Sequence, residues 1–430
     1  MFNRRLSEKV CTLQTYPNTM GFTVTASHNP ASYVGIKTVV PTPEGHKVHA
    51  IGMNSGPMGG LKIVRELYHN GEEFPSADGG SVTYHDLCRE YIEYSMAEAG
   101  VKEGDLSGLT VVLEAMNGSA GPELHQAFTK AGCKVVAMRS VPNGLFPYGS
   151  PNPTSQGKME PALEAAKGLA AEAGSLVVIG MDGDGDRMVF GDHRGILAAG
   201  FAFIPILQEC GFAPGAEARP VLYDPKVNPV SLAEWGKLSA KPVLYRNGHS
   251  QIKDYMYQIG AIAAAEESGH YYHELNLGEV KGVTGENSCL TTLLFLKAVK
   301  KDAGLMDRLQ AGQASVFVTG EFNYQFPDDD TRDKALAAVI KHYTDGGASS
   351  TTHGPDGSDL EGTCLEFGVT IDPPTVELKE GWYAGYLRVA TNEKGVVRAY
   401  FSAGDAASGG EIEKQARDIL GGTFGGNIVE

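Results

Sequence analysis

Short apolar runs alternate with glycine-containing turns and amphipathic stretches along the first two thirds of the chain. Residues 109–113 form one apolar run, a glycine turn follows at residues 117–121, and an amphipathic stretch continues to about Ala131. The next apolar run covers residues 134–137. This order predicts a strand, a helix and a strand, which is the βαβ unit of a parallel sheet.

A second unit of the same kind is predicted further along the chain. Residues 220–223 and 242–245 are apolar runs with a helical stretch between them, and residues 290–300 form a strongly apolar helix. The glycine turn at residues 117–121 lacks both the lysine of a P-loop and the Gly-x-Gly-x-x-Gly spacing of a dinucleotide site. We therefore interpret it as a tight turn.

After about residue 310 the pattern changes to strands accompanied by two helices. Strands are predicted at residues 316–319, 386–390 and 396–401, and helices near residues 332–343 and 411–420. This region therefore predicts a smaller α+β domain, whereas the preceding part of the chain predicts α/β domains.

Length and composition limit the classes of protein. The chain has 430 residues, of which 42% are hydrophobic, enough for several domains with buried cores. Its net charge of −16 argues against a nucleic-acid partner. The six cysteines include no Cys-x-x-Cys pair, which argues against a zinc site or disulfide framework and favours a reducing cytoplasm. No stretch approaches the roughly 18 apolar residues of a membrane span, so we expect no membrane partner.

Three aspartates separated by single glycines follow an apolar run at residues 175–181, which predicts a buried strand. Asp182, Asp184 and Asp186 would point to one side of an extended segment, just past the carboxyl end of that strand. Closely packed carboxylates suit Mg²⁺, and without a cation three such charges repel. An EF-hand calcium loop is excluded, because the sixth and twelfth positions lack its glycine and glutamate. The pattern therefore predicts a magnesium site.

Ser27 follows a strand-like run at residues 21–25 and precedes a turn formed by Asn29 and Pro30, so its hydroxyl is expected on a loop. Taken alone, a serine in this position is usually an ordinary turn residue. We expect no Ser-His hydrolase pair, because neighbouring side chains of an extended segment diverge and His28 would not reach the Ser27 hydroxyl.

Five segments, in their order along the chain, resemble motifs of the α-D-phosphohexomutase superfamily, which includes phosphomannomutase/phosphoglucomutase and phosphoglucosamine mutase. They are residues 25–37, 182–187, 223–226, 246–250 and 266–270. Each segment alone has an ordinary interpretation as a helix start, a strand end or a turn. The ordered set, across about 250 residues, is much more specific.

The resemblance implies a role for residues of each segment. Ser27 is the expected phosphoserine, Lys37 is the expected general acid/base, and Arg187 and His249 complete the expected catalytic set. The implied metal ligands are Ser27, Asp182, Asp184 and Asp186. The implied substrate-binding residues are His28, Lys226, Glu266, Ser268, His270 and Arg388.

The resemblance also implies an α/β fold: three related α/β mixed-sheet domains, the first apparently truncated, and a smaller C-terminal α+β domain around a central cleft. The expected domains cover residues 1–95, 96–196, 197–309 and 310–430, with the phosphoserine, metal, sugar-binding and phosphate-binding loops in turn. Only 26 residues precede Ser27, fewer than the corresponding family segment occupies. We therefore expect an incomplete first domain with an exposed sheet edge and an exposed part of a core face.

The expected phosphate-binding loop departs from the family pattern. Arg388 matches, but Ala390 replaces the usual serine. Thr391 and Asn392 stand where glycine or asparagine, and then threonine, are usual. We therefore carry over only Arg388 from this loop.

The leading expectation is a Mg²⁺-dependent phosphohexomutase that interconverts hexose 1-phosphate and hexose 6-phosphate, of mannose and/or glucose, through a phosphoserine and a bisphosphate intermediate. Its expected partners are hexose phosphates and a hexose bisphosphate activator. A phosphoglucosamine mutase is an alternative, because the residue at Glu267 varies among the family's subgroups, and a non-catalytic sugar-phosphate-binding relative is another. An aspartyl-phosphate hydrolase is disfavoured, because no Asp-x-Asp pair is followed two residues later by threonine or valine. The sequence predicts no oligomeric state.

Overall fold

The computed structural model describes residues 21–41, 48–50, 60–73, 79–172, 174–277, 280–390 and 393–429. The chain forms two compact units. The first consists of Met1–Leu197, Gly248–Ala264 and Ser268–Met306, and the second of Ala198–Asn247, Ala265–Glu267 and Asp307–Glu430. The division into four domains by residue range stays a prediction.

The first described elements form a small antiparallel sheet and a helix. They are β1 (Gly21–Val24), β2 (Ile36–Pro41), β3 (Val48–Ala50) and α1 (Leu61–His69). The sheet order is β1-β2-β3, with Val24 opposite Ile36 and Phe22 opposite Thr38. Phe22, Val24 and Ile36 therefore share one face, and each is more than half exposed.

A mixed five-stranded sheet follows in the first unit. Its strands and accompanying helices are α2 (Cys88–Ala99), β4 (Leu109–Glu114), α3 (Gly121–Lys130), β5 (Lys134–Met138), α4 (Glu160–Leu169), β6 (Ser175–Met181), β7 (Met188–Asp192) and β8 (Gly195–Ile196). The order is β5-β4-β6-β7-β8, and β4 pairs in parallel with both β5 and β6. The predicted βαβ unit is confirmed as β4, α3 and β5.

Continuous apolar runs form the two central strands of this sheet because both of their faces are covered. All six residues of β4 are buried, and so are the last six of β6. One core cluster consists of Val112, Met116, Met159, Ala162, Ala166, Leu176, Val178 and Val189. The predicted buried strand at residues 175–181 is confirmed, and it fixes the starting point of the aspartate segment.

The next elements belong to the second unit. They are α5 (Ala199–Glu209), β9 (Arg219–Tyr223), α6 (Pro229–Lys237) and β10 (Ala240–Leu244). β9 and β10 pair in parallel, which confirms the second predicted α/β unit. The Asn228 side chain caps α6 by accepting a hydrogen bond from the Ser231 amide at 2.9 Å.

The chain then returns to the first unit, passes briefly through the second at residues 265–267, and returns again. The elements here are α7 (His249–Ile259), β11 (Ala263–Ala265), β12 (Tyr271–Leu277), β13 (Val280–Gly285) and α8 (Ser288–Lys301). β12 and β13 pair antiparallel. α8 is buried nearly all round, as the apolar run at residues 290–300 predicted, and the Asn287 side chain caps its first turn.

The C-terminal part of the second unit is an antiparallel sheet with helices. Its elements are α9 (Leu305–Ala314), β14 (Phe317–Val318), β15 (Phe322–Gln325), α10 (Asp329–Asp345), β16 (Ser349–His353), β17 (Asp359–Asp372), β18 (Thr375–Val389), β19 (Val396–Ala403), α11 (Ala406–Arg417), a π-helix (Asp418–Thr423) and β20 (Asn427–Val429). The order is β16-β17-β18-β19-β15-β20, with β14 also pairing with β19. The predicted α+β character is confirmed.

Two features of this sheet differ from the sequence prediction. Residues 359–385 form long strands, although only the end of β18 was predicted. The predicted strand at residues 316–319 shrinks to the two residues of β14. Thr391 and Asn392 lie outside the described residues. Within the described part of the chain, no helix combines the length and apolar character needed to cross a membrane.

Candidate active site

The segment that carries the three aspartates, residues 182–187, is called the acidic loop below. It is a turn between β6 and β7, and the prediction of an extended segment is wrong. The Asp182 Oδ1 atom accepts hydrogen bonds from the backbone amides of Gly185, Asp186 and Arg187 at 2.9, 3.0 and 3.2 Å. Gly185 has φ +77°, a conformation that glycine adopts without the steric penalty of a side chain. The loop therefore wraps around one carboxylate oxygen.

This turn still brings the three carboxylates together, as predicted. One oxygen from each of Asp182, Asp184 and Asp186 lies within 4.8 Å of the others, and all three residues are buried. The Oδ2 atom of Asp182 and the Oδ1 atom of Asp184 are buried and accept no hydrogen bond from any described residue. Buried oxygens with unused acceptor capacity fit a hard divalent cation, so these residues could hold Mg²⁺.

The pKa shifts of the three aspartates also favour a bound cation. Burial raises the pKa of Asp182 above its usual range, and the charges of Asp184 and Asp186 raise it further. Burial and the charge of Asp186 likewise raise the pKa of Asp184. For Asp186, burial is outweighed by Lys37 and His270, which hold its pKa below the usual range. Two of the three carboxylates thus lack sufficient positive charge around them.

The glycine turn at residues 117–121 is a tight turn that supports the acidic loop. A Cβ atom at Gly118 would lie 2.6 Å from the Asp182 carbonyl oxygen and 2.8 Å from that of Gly183. The Ser119 amide donates a hydrogen bond to the Gly183 carbonyl at 3.1 Å. Only glycine fits this close backbone approach, which explains the turn's composition.

The serine loop, residues 25–30, is joined to the acidic loop through Thr25. The Thr25 hydroxyl donates to the Asp184 Oδ2 atom at 3.0 Å and accepts from the Ser27 amide at 2.8 Å. The Thr25 amide donates to the Gly35 carbonyl at 2.8 Å. These bonds hold the backbone of Ser27 beside the three carboxylates, as the resemblance implied.

The expectation that His28 would not reach Ser27 is wrong. The Ser27 Oγ and His28 Nδ1 atoms are 3.1 Å apart. Ser27 has φ +55°, so the segment is a left-handed turn, and the divergence of side chains in an extended strand does not apply. Burial, and after it the charge of Arg187, lowers the pKa of His28 to about 4. The imidazole is therefore neutral at physiological pH.

Lys37 lies on β2 and reaches the acidic loop. Its Nζ atom is 2.7 Å from the Asp186 Oδ2 atom and 3.4 Å from the Asp184 Oδ2 atom. Burial acts to lower the pKa of Lys37, but the charges of Asp186, Asp184 and Glu286 outweigh it and raise the pKa above its usual range. Lys37 is therefore held as a protonated ammonium.

Four more of the predicted site residues lie in the first unit, and their contacts or positions are as follows. The Arg187 Nε atom lies 3.9 Å from the Asp182 Oδ2 atom. The His270 Nε2 atom lies 3.3 Å from Asp186 Oδ1, and His270 Nδ1 is 2.9 Å from Ser268 Oγ. His249 is the first residue of α7, as its interpretation as a helix-start residue allowed. Burial, and then the charge of Lys253, lowers the pKa of His249.

The predicted residues of the second unit fall into two groups. Lys226 and Arg388 both contact Glu321, as does Arg398, and these four residues are called the Glu321 cluster. Glu266 is buried next to Glu267, whose amide donates to Asp224 Oδ1 at 2.8 Å. Lys226 and Arg388 thus share one carboxylate, although they are far apart in sequence.

Several residues near these groups were not predicted. Thr25 lies within a recognised motif, but its spacing from Ser27 does not by itself indicate a bond to Asp184. Glu286 has an oxygen within 4.8 Å of ligand atoms of Asp186 and His270, and it pairs with Lys253 at 2.7 Å. No local sequence signal marks Glu286 or Glu321, because both act through contacts that depend on the fold.

Several known proteins are similar to this chain in sequence or in fold. A family model described as phosphoglucomutase/phosphomannomutase, alpha/beta/alpha domain II, matches residues 89–195. A phosphomannomutase of Salmonella montevideo is 31% identical over 338 residues, covering 76% of this chain and 68% of that relative. A protein described as phosphohexose mutases, from Xanthomonas campestris pv. campestris strain B100, is 28% identical over 357 residues, covering 81% of this chain and 71% of that relative.

Solved structures show the same fold. A phosphoglucomutase/phosphomannomutase family protein from Burkholderia thailandensis has a TM-score of 0.70 at 22% identity, covering 95% of this chain and 78% of that chain. A phosphoglucomutase from Paramecium, parafusin, has a TM-score of 0.66 at 14% identity, covering 99% and 81% of the two chains.

The fold and these relatives define an enzyme of the phosphoryl-transferring mutase class. The chain belongs to the α-D-phosphohexomutase superfamily and is of the phosphomannomutase/phosphoglucomutase kind, as its five motifs predicted.

Proposed function

We propose that the protein is a Mg²⁺-dependent phosphohexomutase that interconverts the 1-phosphate and 6-phosphate of mannose and/or glucose. In this proposal Ser27 carries the transferred phosphoryl group. The observation that carries the proposal is the bond from Thr25 to Asp184, since it holds the Ser27 backbone against three converging carboxylates. Phosphoryl transfer depends mainly on positioning the reacting groups and on neutralising their charge. A serine next to carboxylates that could hold a cation suits both needs.

The reaction proceeds in two transfers through phosphorylated Ser27. In the first, a sugar hydroxyl oxygen attacks phosphorus, the bond from phosphorus to Ser27 Oγ breaks, and the sugar becomes a bisphosphate. In the second, Ser27 Oγ attacks the other phosphate of the turned-around bisphosphate and regenerates the phosphoserine. The enzyme ends each cycle as it began, so no net phosphate is gained or lost.

The proton movements are assigned to Lys37 and His249. The ammonium of Lys37 donates a proton to the departing Ser27 oxygen, and the neutral imidazole of His249 accepts the proton of the attacking hydroxyl. Both protons return in the second transfer. The ion pairs of Lys37 with Asp184 and Asp186 place its amine at the acidic loop, and for the proton transfer the proposal requires these charges to be offset by the bound cation.

The metal and the substrate are assigned to separate sets of residues. Asp182, Asp184, Asp186 and the phosphate on Ser27 would hold Mg²⁺, which supplies positive charge to the transferring oxygens when bound. Arg187 neutralises further charge on the moving group. The substrate is bound by His28, Lys226, Glu266, Ser268, His270 and Arg388. Their hydroxyl, carboxylate and cationic groups match the needs of a sugar phosphate.

The test is a coupled mutase assay on the 430-residue chain. Glucose 1-phosphate, mannose 1-phosphate and glucosamine 1-phosphate are supplied in turn with Mg²⁺ and a hexose bisphosphate activator. We expect turnover with glucose and/or mannose phosphates, and loss of that turnover when a chelator is added. Preference for glucosamine 1-phosphate would instead identify a phosphoglucosamine mutase.

The decisive variant is Ser27→Ala, with Ser32→Ala as the matched control in an exposed part of the same region. Loss of the phosphate carrier should reduce turnover by at least about 10³-fold, whereas the control should retain it. Near-normal turnover in the Ser27 variant would overturn the phosphoserine role. Binding of glucose 1-phosphate without turnover by the unmodified chain would favour a non-catalytic relative.

A further inference from the structure

The Glu321 cluster joins two predicted substrate-binding cations to one carboxylate. Glu321 Oε2 lies 3.6 Å from Lys226 Nζ and 3.9 Å from Arg388 Nη2. Its other oxygen, Oε1, accepts a hydrogen bond from Arg398 Nη1 at 3.0 Å. Arg398 also contacts Glu393 through Nη2 at 2.6 Å. Three cations therefore share two carboxylates in this cluster. Burial raises the pKa of Asp224 to about 6, and the charge of Lys226 acts against that rise, so Lys226 also faces a carboxylate outside the cluster.

Strand register explains why these residues meet. Arg388 on β18 is directly opposite Arg398 on β19, and Arg398 is opposite Asn323 on β15. Side chains of opposed residues lie on the same face of a sheet, and residues two apart on one strand do too. Glu321 lies two residues before Asn323, so it falls on the face that carries both arginines. Lys226 approaches from the loop after β9.

The contacts of Glu321 are unequal. Arg398 makes a hydrogen bond, whereas the distances to Lys226 and Arg388 exceed hydrogen-bond length. A lysine ammonium has three donors and a guanidinium has five, so both cations can accept an additional anionic ligand. Burial acts to raise the pKa of Glu321, but the charges of Lys226, Arg388 and Arg398 outweigh it and lower the pKa. The carboxylate is therefore ionised and repels any anion that approaches.

We propose that Glu321 is an internal counter-ion that sets the phosphate affinity of this cluster by competing with phosphate for Lys226 and Arg388, while Arg398 anchors its carboxylate. The proposal rests on the substrate-binding roles proposed for Lys226 and Arg388. It assigns Glu321 as an affinity-determining residue, which lowers the affinity of the cluster for phosphate and thereby favours release of a phosphorylated product.

The direction of the effect separates competition from simple support. If Glu321 competes, removing its charge should tighten phosphate binding by at least about fivefold, equivalent to about 1 kcal/mol. An interaction of this size is expected from one unit charge about 4 Å away in a well-solvated site. If Glu321 only held the two cations in place, removing its charge would weaken binding.

The experiment titrates inorganic phosphate into the full chain by calorimetry, with a chelator present to exclude any metal contribution. The variants are Glu321→Gln, which removes the charge, and Glu321→Asp, which draws the carboxylate back from the two distant cations. Glu377→Gln is the matched control, because Glu377 is exposed on β18 and its replacement changes the net charge equally. The double variant Glu321→Gln with Arg388→Ala tests whether any gain depends on Arg388.

We expect tighter phosphate binding in Glu321→Gln, a smaller gain in Glu321→Asp, no change in the control, and no gain in the double variant. Equal or weaker binding in both Glu321 variants would overturn the proposal. Mutase turnover is measured separately on the same samples. If the variants show the expected changes in phosphate affinity but the chain has no turnover, this inference stands and the proposed function fails. If the chain turns over but the phosphate affinities do not change as expected, the proposed function stands and this inference fails.

Discussion

The acidic loop of the first unit and the Glu321 cluster of the second have opposite charge imbalances. In the acidic loop three buried carboxylates face Lys37 and Arg187, and the Asp182 Oδ2 and Asp184 Oδ1 atoms are among the buried oxygens that accept no hydrogen bond from the described residues. In the Glu321 cluster three cations face one carboxylate, with Glu393 as a further partner of Arg398. The acidic loop is thus rich in carboxylates, and the Glu321 cluster is rich in cations.

This difference indicates what each region binds. Buried like charges are unfavourable unless a ligand of opposite charge compensates them, so the buried acidic loop favours a cation. The cations of the Glu321 cluster are partly exposed and suit the phosphate proposed above. A third set, Lys253 and Glu286, shows the balanced case. These two side chains are less than a tenth exposed, and their charged atoms are 2.7 Å apart. Within this pair the two charges balance each other.

The largest effect is expected from removing one carboxylate of the acidic loop. Asp184→Asn should lower Mg²⁺-stimulated turnover by about 10³-fold, or about 4 kcal/mol, because the cation loses a charged ligand. Calorimetric titration of Mg²⁺ checks the cause, since its affinity should fall as well. Glu172→Gln, an exposed change of equal charge in the same unit, is the control. Full Mg²⁺ affinity in the Asp184 variant would show that the metal binds elsewhere.

Breaking the balanced pair of Lys253 and Glu286 should lower the stability of the fold. Lys253→Met leaves the Glu286 carboxylate buried without its partner, so the free energy of unfolding should fall by about 3 kcal/mol. Combining it with Glu286→Leu should recover most of that loss, because an apolar pair replaces an ionic one. Urea unfolding of both variants, with and without Mg²⁺ and phosphate, is the measurement. A double variant no more stable than the single one would contradict this explanation.

The support beneath the acidic loop can be tested at Gly118. Gly118→Ala should lower the free energy of unfolding by about 2 kcal/mol, because its Cβ would press on the Asp182 carbonyl. It should also weaken Mg²⁺ binding by shifting the loop. Gly144→Ala is the matched control, since no atom lies within 4 Å of a Cβ placed there. If both variants are equally stable and bind Mg²⁺ equally, the turn does not support the loop.

A smaller, pH-dependent effect is expected at Glu267 in the second unit. Its carboxylate accepts hydrogen bonds from the Ala199 and Gly200 amides at 3.0 and 3.4 Å. Burial, and then the charge of Asp224, raises the pKa of Glu267 from 4.5 to about 8. The folded state therefore binds a proton that the unfolded state releases between pH 4.5 and pH 8. Its contribution to stability is full below pH 4.5 and is lost as the pH rises toward pH 8.

The variant Glu267→Gln resembles the protonated side chain at every pH. Its stability should match that of the unmodified protein near pH 4 and should exceed it by a growing margin as the pH rises toward 8. Thermal unfolding across this pH range measures the difference. A constant offset between the two proteins at all pH values would contradict the raised pKa.

The sequence predicted those parts of the fold that local patterns determine. The apolar run at residues 175–181 became β6 because both of its faces are buried, and Gly118 was correctly interpreted as part of a tight turn. Residues 359–385 were missed because many of their side chains are exposed and glycines interrupt the pattern. These strands depend on hydrogen bonds to partners that no local pattern reveals.

The candidate site shows the same division. The spacing of the aspartates predicted their convergence, but Lys37 and Asp186 are 149 residues apart, and only the family resemblance brought them together. The contact of Ser27 with His28 was missed because it follows from a left-handed backbone angle. Glu321 was missed because its neighbours are set by the register of three strands.

The most direct test of the central claim is whether phosphate passes through Ser27. The chain is incubated with Mg²⁺ and hexose bisphosphate carrying labelled phosphate, digested, and analysed by mass spectrometry, before and after a chase with unlabelled glucose 1-phosphate or mannose 1-phosphate. We expect labelled phosphate on the peptide containing Ser27, and its transfer to sugar during the chase. Label on another residue, or label on Ser27 that no hexose phosphate removes, would contradict the account.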